Sequence, residues 1–311
     1  MVIVKTENLT KKYGSLAAVD RLNLQIEEGE VFGLLGPNGA GKTTTILMLL
    51  GLTEPSGGKA VIDGHDCTRN PIAVKRIVGY LPDNVAFYND LTGRVNLRFV
   101  GELNNLTAAE TEERIDKLLK RTGMAYAADK KVRTYSRGMR QRLGIADVLM
   151  KNPRVVILDE PTLGIDPEGM HELLDLISEL AHEDGRTVLI SSHQLYQVQQ
   201  ICDRVGIFVK GSLVACGDIA SLRETVSGEG MSIEFAASPD NEKLVKMLLS
   251  LPEVSDVTRD HDVYIVKAKQ DVRSRLADEA LKGGYSLLHL KQHGGDLDDI
   301  YRRYFAKEGV V

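Results

Sequence analysis

The chain has 311 residues, 43% of them apolar and 27% charged, with a formal net charge of −5. This length favours two domains over one, and the acidic balance argues against nucleic acid as a partner. No apolar run reaches the ~18–20 residues that cross a bilayer. The first residues also lack the basic start and apolar core of a signal peptide, so we expect no secretory leader.

Apolar, β-branched runs near the start of the chain predict strands. They cover Val2 to Leu9, Leu22 to Ile26, Val31 to Leu35 and Lys59 to Asp63. Further along, Val155 to Leu158 and Thr187 to Ser191 have the composition of buried parallel strands. Helical patterns lie between them, and alternating strands and helices indicate an α/β core.

A glycine-rich segment follows the strand at Val31 to Leu35 and precedes a helical stretch at Thr43 to Leu50. It matches the pattern G-x-x-x-x-G-K-[ST], in which glycines let backbone N–H groups surround a phosphate and the next helix points its N-terminus at the anion. Lysine adds charge for the β- and γ-phosphates, and the following threonine offers a hydroxyl to Mg²⁺. The predicted nucleotide-binding residues are Gly36, Pro37, Asn38, Gly39, Ala40, Gly41, Lys42, Thr43 and Thr44.

Three helices have clear start signals. Thr107 and Glu110 form a capping box ahead of a stripe at Ile115, Leu118 and Leu119. Ser136 can cap a helix that runs to about Met150, which would create a second anion site from its hydroxyl and the first backbone amides. Asp166 and Pro167 begin a third helix, with an apolar stripe at Leu173, Leu174, Ile177 and Leu180.

Two carboxylates follow the buried strand Val155 to Leu158. Asp159 comes at its carboxyl end, where Mg²⁺ would bind, and Glu160 is placed to polarise water for attack on a γ-phosphate. An acidic strand end alone is weak evidence. Downstream of a phosphate-binding loop it predicts nucleotide hydrolysis.

The pattern changes after Gly217. Residues 220–230 are polar and predict a linker, and residues 231–311 then predict a small α+β domain of β-α-β-β-α-β order, the ferredoxin-like arrangement. A last helix is expected over Leu297 to Phe305. His289 and His293 are four residues apart, a spacing that binds metal when it lies on a helix. This stretch is predicted to be the end of a strand, so we interpret them as surface histidines and not as a metal site. Cys67, Cys202 and Cys216 are far apart and predict buried or partly buried thiols.

Taken together, the motifs of residues 1–219 resemble the nucleotide-binding subunits of ABC transporters. The resemblance implies a P-loop ABC ATPase domain with a RecA-like core, an antiparallel β subdomain and a helical subdomain. It gives Tyr13 the adenine-stacking role, Glu160 the catalytic role and His193 that of γ-phosphate sensor. Tyr135 to Met139 lies where the family has its Leu-Ser-Gly-Gly-Gln signature, and Asp166 ends the D-loop segment.

Two departures from the family pattern stand out. Arg137 and Met139 replace a glycine and the glutamine of the signature, which leaves Ser136 and Gly138 as its matching nucleotide-binding residues. Asp83 replaces the Q-loop glutamine; a carboxylate accepts hydrogen bonds and can bind Mg²⁺, but it cannot donate. Both departures resemble the branch that exports drugs, antibiotics and sodium, which includes the nitrous-oxide-reductase maturation subunits. The segments 91–97 and 297–304 resemble that last group most.

The resemblance implies an ATPase that uses ATP and Mg²⁺. Thr43, Asp83 and Asp159 are the residues expected to bind the metal. It implies a head-to-tail homodimer, a separate transmembrane permease, and a peripheral position on the cytoplasmic face of the cell membrane. Segment 83–101 would carry movement to the permease. Alternatives are a chromosome or DNA-damage ATPase, a ribosome-associated factor, an ATP-binding module without turnover, and an importer. No heptads, cysteine pairs or second cassette support the first two, and Glu160 and His193 argue against the third.

Overall fold

The computed structural model describes residues 1–194, 199–226 and 231–293. The chain forms two compact units, Met1–Gly217 and Asp218–Val311, so the division falls at residue 217 where the sequence suggested residue 219. In the first unit the strands are β1 Val2–Tyr13, β2 Leu16–Glu27, β3 Val31–Leu35, β4 Gly57–Ile62, β5 His65–Asp66, β6 Val78–Leu81, β7 Val155–Asp159, β8 Thr187–Ser192, β9 Arg204–Val209 and β10 Ser212–Gly217.

The central sheet of the first unit has the order β10-β9-β3-β8-β7-β6, with only β10 antiparallel to its neighbour. All residues of β3, β7 and β8 are buried, as expected for parallel strands that are covered on both faces. Leu35 pairs with Ser192 and Asp159 pairs with Ser191, so the carboxyl ends of these three strands meet at one edge. Strands β2-β1-β4-β5 form a second, antiparallel sheet.

The helices of the first unit are α1 Lys42–Leu49, α2 Pro71–Ile77, α3 Gly93–Leu103, α4 Ala108–Arg121, α5 Arg137–Leu149 and α6 Pro167–His182. Helices α3, α4 and α5 pack on one another as the expected helical subdomain. The capping box at Thr107 and Glu110 is formed, and Ile115 and Leu119 are buried on the inner face of α4. Ser136 and Asp166 cap α5 and α6 through their side chains, as predicted.

Asp218 begins the second unit, and a helix α7, Ile219–Val226, follows it. The linker predicted over residues 220–230 is therefore wrong for its first part. Asp218 explains the difference, because its carboxylate accepts from the Ser221 N–H and hydroxyl and caps the helix. The rest of that segment, 227–230, lies outside the described residues, as does the predicted helix Leu297 to Phe305.

A four-stranded antiparallel sheet of order β12-β13-β11-β14 forms the rest of the second unit. The elements are β11 Met231–Ser238, α8 Glu242–Leu249, β12 Val254–Asp260, β13 Val263–Ala268, α9 Arg273–Lys282 and β14 Ser286–His293. This confirms the predicted β-α-β-β-α-β, ferredoxin-like order. Phe235 and Val266 from the sheet pack with Leu244, Leu248 and Leu276 in a hydrophobic core of their own. Within the described ranges, no helix is long and apolar enough to cross a membrane.

Candidate nucleotide site

The glycine-rich segment forms a tight loop between β3 and α1. Gly41 immediately precedes α1 with φ of +108°, a backbone conformation that side chains other than glycine rarely adopt. An added Cβ at this position would lie 2.3 Å from the carbonyl oxygen of Ala18. Glycine is therefore required here twice, once by the backbone dihedral and once by the close approach of β2.

Lys42 lies inside this loop with only 5% of its side chain exposed. Its ammonium donates hydrogen bonds to the carbonyl oxygens of Gly36, at 2.7 Å, and Pro37, at 3.2 Å. The same nitrogen is 3.4 Å from Oε1 of Glu160. The positive charge is thus fixed between the loop backbone and the acidic end of β7, the place where a bound phosphate needs it.

Asp159 is buried at the end of β7 and accepts hydrogen bonds from two hydroxyls. Thr43 Oγ1 donates to its Oδ2 at 3.0 Å, and the Ser191 hydroxyl donates to its Oδ1. Hydroxyl and carboxylate oxygens are the ligands that Mg²⁺ prefers, so Thr43 and Asp159 fit this ion. Ser191 was not among the predicted site residues; its register opposite Asp159 on β8 is what brings it there.

Glu160 has a left-handed backbone conformation, with φ of +50°. Its N–H donates to the carbonyl oxygen of Ser191 at 3.1 Å, which holds the turn after β7 against β8. The carboxylate Oε2 lies 2.8 Å from Nδ1 of His193. The structure therefore brings the predicted general base, the predicted sensor histidine and Lys42 into one contact network.

A cavity of about 210 Å³ opens beside these residues. It is lined by Ala18, Pro37, Asn38, Gly39, Gly41, Lys42, Thr43, Thr44, Asp83, Asp159 and Glu160. Burial, and then the negative charges of Asp159 and Asp83, raise the pKa of Tyr80 on the neighbouring strand to about 12. Tyr13 is not among the lining residues; it is half exposed, with the Lys11 ammonium 5.1 Å from its ring centroid.

Ser136, Gly138 and Asp166 line a different cavity of about 660 Å³, between the start of α5 and the start of α6. The Ser136 hydroxyl accepts from the Met139 N–H at 3.2 Å, and Asp166 accepts from the Gly169 N–H at 3.1 Å. Arg142 from α5 and Glu172 from α6 form an ion pair that also lines the cavity. Apart from Tyr13, the predicted nucleotide-binding residues therefore lie in two separate places on one chain.

The remaining candidates are the two histidines and the three cysteines. Among the residues that the structure describes, no group of three or more His, Cys, Asp and Glu side chains is arranged to hold a metal ion. His289 bonds to Glu234 at 2.8 Å instead, and the side chain of His293 lies outside the description. Cys67 and Cys202 are buried free thiols, as predicted, whereas Cys216 is exposed.

Known proteins with similar sequences are ATP-binding proteins, which agrees with a phosphate-binding loop in this chain. Residues 19–163 match the family model described as ABC transporter. The linearmycin resistance ATP-binding protein LnrL of Bacillus subtilis is 34% identical over 96% of this chain and 97% of its own length. The bacitracin transport ATP-binding protein BcrA of Enterococcus faecalis is 34% identical over 99% and 98%.

The solved structures that match are ATP-binding cassettes. A dimeric, post-hydrolysis cassette, MJ0796 bound to ADP and Pi, superposes with a TM-score of 0.64 at 26% identity, covering 70% of this chain and 98% of that one. The two relatives above match nearly the whole chain at more than 30% identity. The chain therefore belongs to the ATP-binding subunits of ABC transporters, which hydrolyse ATP, and its relatives in antibiotic resistance agree with the exporter-type branch.

Proposed function

We propose that this ATPase subunit powers the export of an antibiotic-like or drug-like compound through a separate permease at the cytoplasmic face of the membrane. The relatives named for linearmycin resistance and bacitracin transport match both units of the chain, and the DrrA3 protein of Streptomyces coeruleorubidus, named for daunorubicin resistance, is 35% identical over 96% of it. The observation that carries the proposal is the match of these resistance and transport proteins to nearly the whole chain, its second unit included.

In the proposed reaction the phosphates of ATP lie in the loop after β3. Lys42 supplies positive charge there, and Thr43 and Asp159 would hold Mg²⁺, which would neutralise phosphate charge. Glu160 accepts a proton from the attacking water, and the 2.8 Å contact with His193 fixes the orientation of its carboxylate. Lys42 and His193 each contact one oxygen of Glu160, so its side chain is held from both sides.

The second cavity supports a head-to-tail homodimer. In such a pair, Ser136 and Gly138 of one copy would complete the phosphate site of the other, with Asp166 beside them. ATP would then bind the closed pair more tightly than the open one, and only this difference in affinity can perform conformational work. The similar cassette that is dimeric with ADP and Pi bound supports the pairing of two copies.

An exposed apolar surface on the helical subdomain supports a permease contact. Tyr88, Leu91, Phe99 and Leu103 are all exposed, and the Tyr88 and Phe99 rings meet edge to face at 5.4 Å. Clustered exposed apolar side chains are typical of interaction sites. Three of them lie within the segment 83–101, which the family resemblance assigns to coupling.

The experiment is co-purification from detergent with a membrane protein of its host, the permease that the proposal requires, followed by transport into inverted vesicles. Tyr88→Ala with Phe99→Ala should release the permease while ATP binding to the free subunit persists. Leu52→Ala is the matched control, since Leu52 is comparably exposed and lies after α1 rather than on this surface. Undiminished co-purification of the double variant would refute the surface, and ATP-driven uptake in the opposite direction would indicate an importer.

The finer resemblance to the nitrous-oxide-reductase maturation subunits remains a prediction. The relatives with antibiotic names favour antibiotic export instead. Transport assays with linearmycin, bacitracin and daunorubicin would separate the two, because a maturation subunit should move none of them.

A further inference from the structure

Two of the three residues that depart from the family pattern, Asp83 and Arg137, contact each other. Arg137, the first residue of α5, donates from Nη2 to Oδ1 of Asp83 at 3.0 Å. Asp83 follows β6 and lines the same cavity as Thr43 and Asp159. This ion pair therefore joins the wall of the phosphate cavity to the helix that presents Ser136 and Gly138.

Further contacts hold this pair in place. Gln141, one turn along α5, donates to the backbone carbonyl of Asp83 at 3.4 Å and is 2% exposed. Arg137 also lies against Gly164, where an added Cβ would be 2.9 Å from its Cδ. Arg137 thus lies between the loop after β6 and the turn that leads to α6, in contact with both.

We propose that Arg137 is a positioning residue that competes with Mg²⁺ for the Asp83 carboxylate. The inference rests on the proposed Mg²⁺ site at Thr43 and Asp159. A carboxylate that is already paired with a guanidinium attracts a nearby cation less than a free one does. By reciprocity, a cation bound in the cavity weakens the hold of Asp83 on α5 to the same extent.

Because of this competition, cation binding in the cavity affects the contacts at the start of α5. When the phosphate cavity is empty, Arg137 ties the Ser136 end of α5 to Asp83. When a cation interacts with Asp83, the ion pair weakens. Ser136 and Gly138, which are proposed to contact the second copy, can then move. The sequence departures at positions 83 and 137 therefore act as one unit, and not as two separate losses of family residues.

The test is the Mg²⁺ dependence of binding of a fluorescent, non-hydrolysable ATP analogue, measured on dilute full-length protein. Arg137→Gln should lower the apparent Mg²⁺ dissociation constant about two- to fivefold, the effect of a half-exposed ion pair. Arg137→Lys should give a smaller shift, because it keeps the charge. Asp83→Asn should weaken Mg²⁺ binding, and adding Arg137→Gln to it should change nothing further.

Arg140→Gln is the matched control, since Arg140 lies on the same helix and bonds to neutral Asn89 at 3.0 Å. An equal shift of the Mg²⁺ dissociation constant in Arg140→Gln would show that any loss of positive charge has this effect, and it would overturn the proposal. A shift from Arg137→Gln that persists in the Asp83→Asn background would also overturn it. Analogue binding that does not depend on Mg²⁺ at all would refute the ion site of the proposed function itself, and this inference with it.

Discussion

Gly41 allows a sharp test of how the phosphate-binding loop is built, through Gly41→Ala compared with Gly39→Ala. Both glycines have positive φ, +108° and +81°, so each alanine pays ~1–2 kcal/mol for its backbone conformation. At Gly39 an added Cβ meets nothing within 4 Å. At Gly41 it meets the Ala18 carbonyl oxygen at 2.3 Å, whereas ordinary contact begins at 3.4 Å, so the loop must move by about 1 Å.

Such a displacement at a reacting site costs on the order of 10²-fold in rate. We therefore expect Gly41→Ala to lower ATPase activity about a hundredfold or more and to weaken nucleotide binding, while Gly39→Ala, which has only the backbone cost, loses roughly 5- to 30-fold at most. Phosphate release and binding of a fluorescent ATP analogue measure the two effects, and thermal unfolding checks that both variants are folded. Equal losses from the two variants would show that the contact with β2 has no part in shaping the loop.

Three further predictions concern other parts of the chain. Glu160→Gln should still bind ATP but lose ~10²–10⁴-fold in turnover, as measured by phosphate release, and a rate equal to the parent would exclude it as the base. Deleting residues 218–311 should leave an ATP-binding first unit, because each unit has a hydrophobic core of its own; aggregation of this fragment would show that the cores depend on each other. Burial raises the pKa of Asp147 from 3.8 to about 6 despite the charge of Lys151. The folded state therefore binds a proton at Asp147 that the unfolded state releases, so the contribution of Asp147 to the free energy of unfolding should fall by at most about 3 kcal/mol as pH rises from about 4 to 6. Urea unfolding at both ends of that range should show that the parent loses more stability, or gains less, than Asp147→Asn, and an identical change in the two proteins would refute the burial argument.

The phosphate-binding loop and the acidic end of β7 could be predicted because their signals are local. Three closely spaced glycines, a lysine and a threonine define the loop, and four apolar residues before Asp159 define the strand. The helix caps at Ser136 and Asp166 are equally local, since each depends on one side chain and the next three residues. In all these places the chain within about ten residues determines the conformation.

Other features depended on contacts between distant segments. Ser191 reaches Asp159 only through the register of β7 and β8, which the sequence does not specify. The pair of Asp83 and Arg137 spans 54 residues, so each looked like a separate departure from the family pattern. Strand β1 was predicted to end at Leu9 because polar residues follow, yet pairing with β2 continues to Tyr13 on an exposed part of the sheet.

The hydrogen bonds that Asp159 accepts from two hydroxyls have a consequence for the entropy of ion binding. Thr43 and Ser191 come from α1 and β8 and hold opposite oxygens of the same carboxylate. The rotamer of Asp159 is therefore already restricted before any cation arrives, so little conformational freedom is left to lose when one binds. Most of the conformational entropy of the Asp159 side chain is therefore lost during folding, when α1 and β8 take their places beside it.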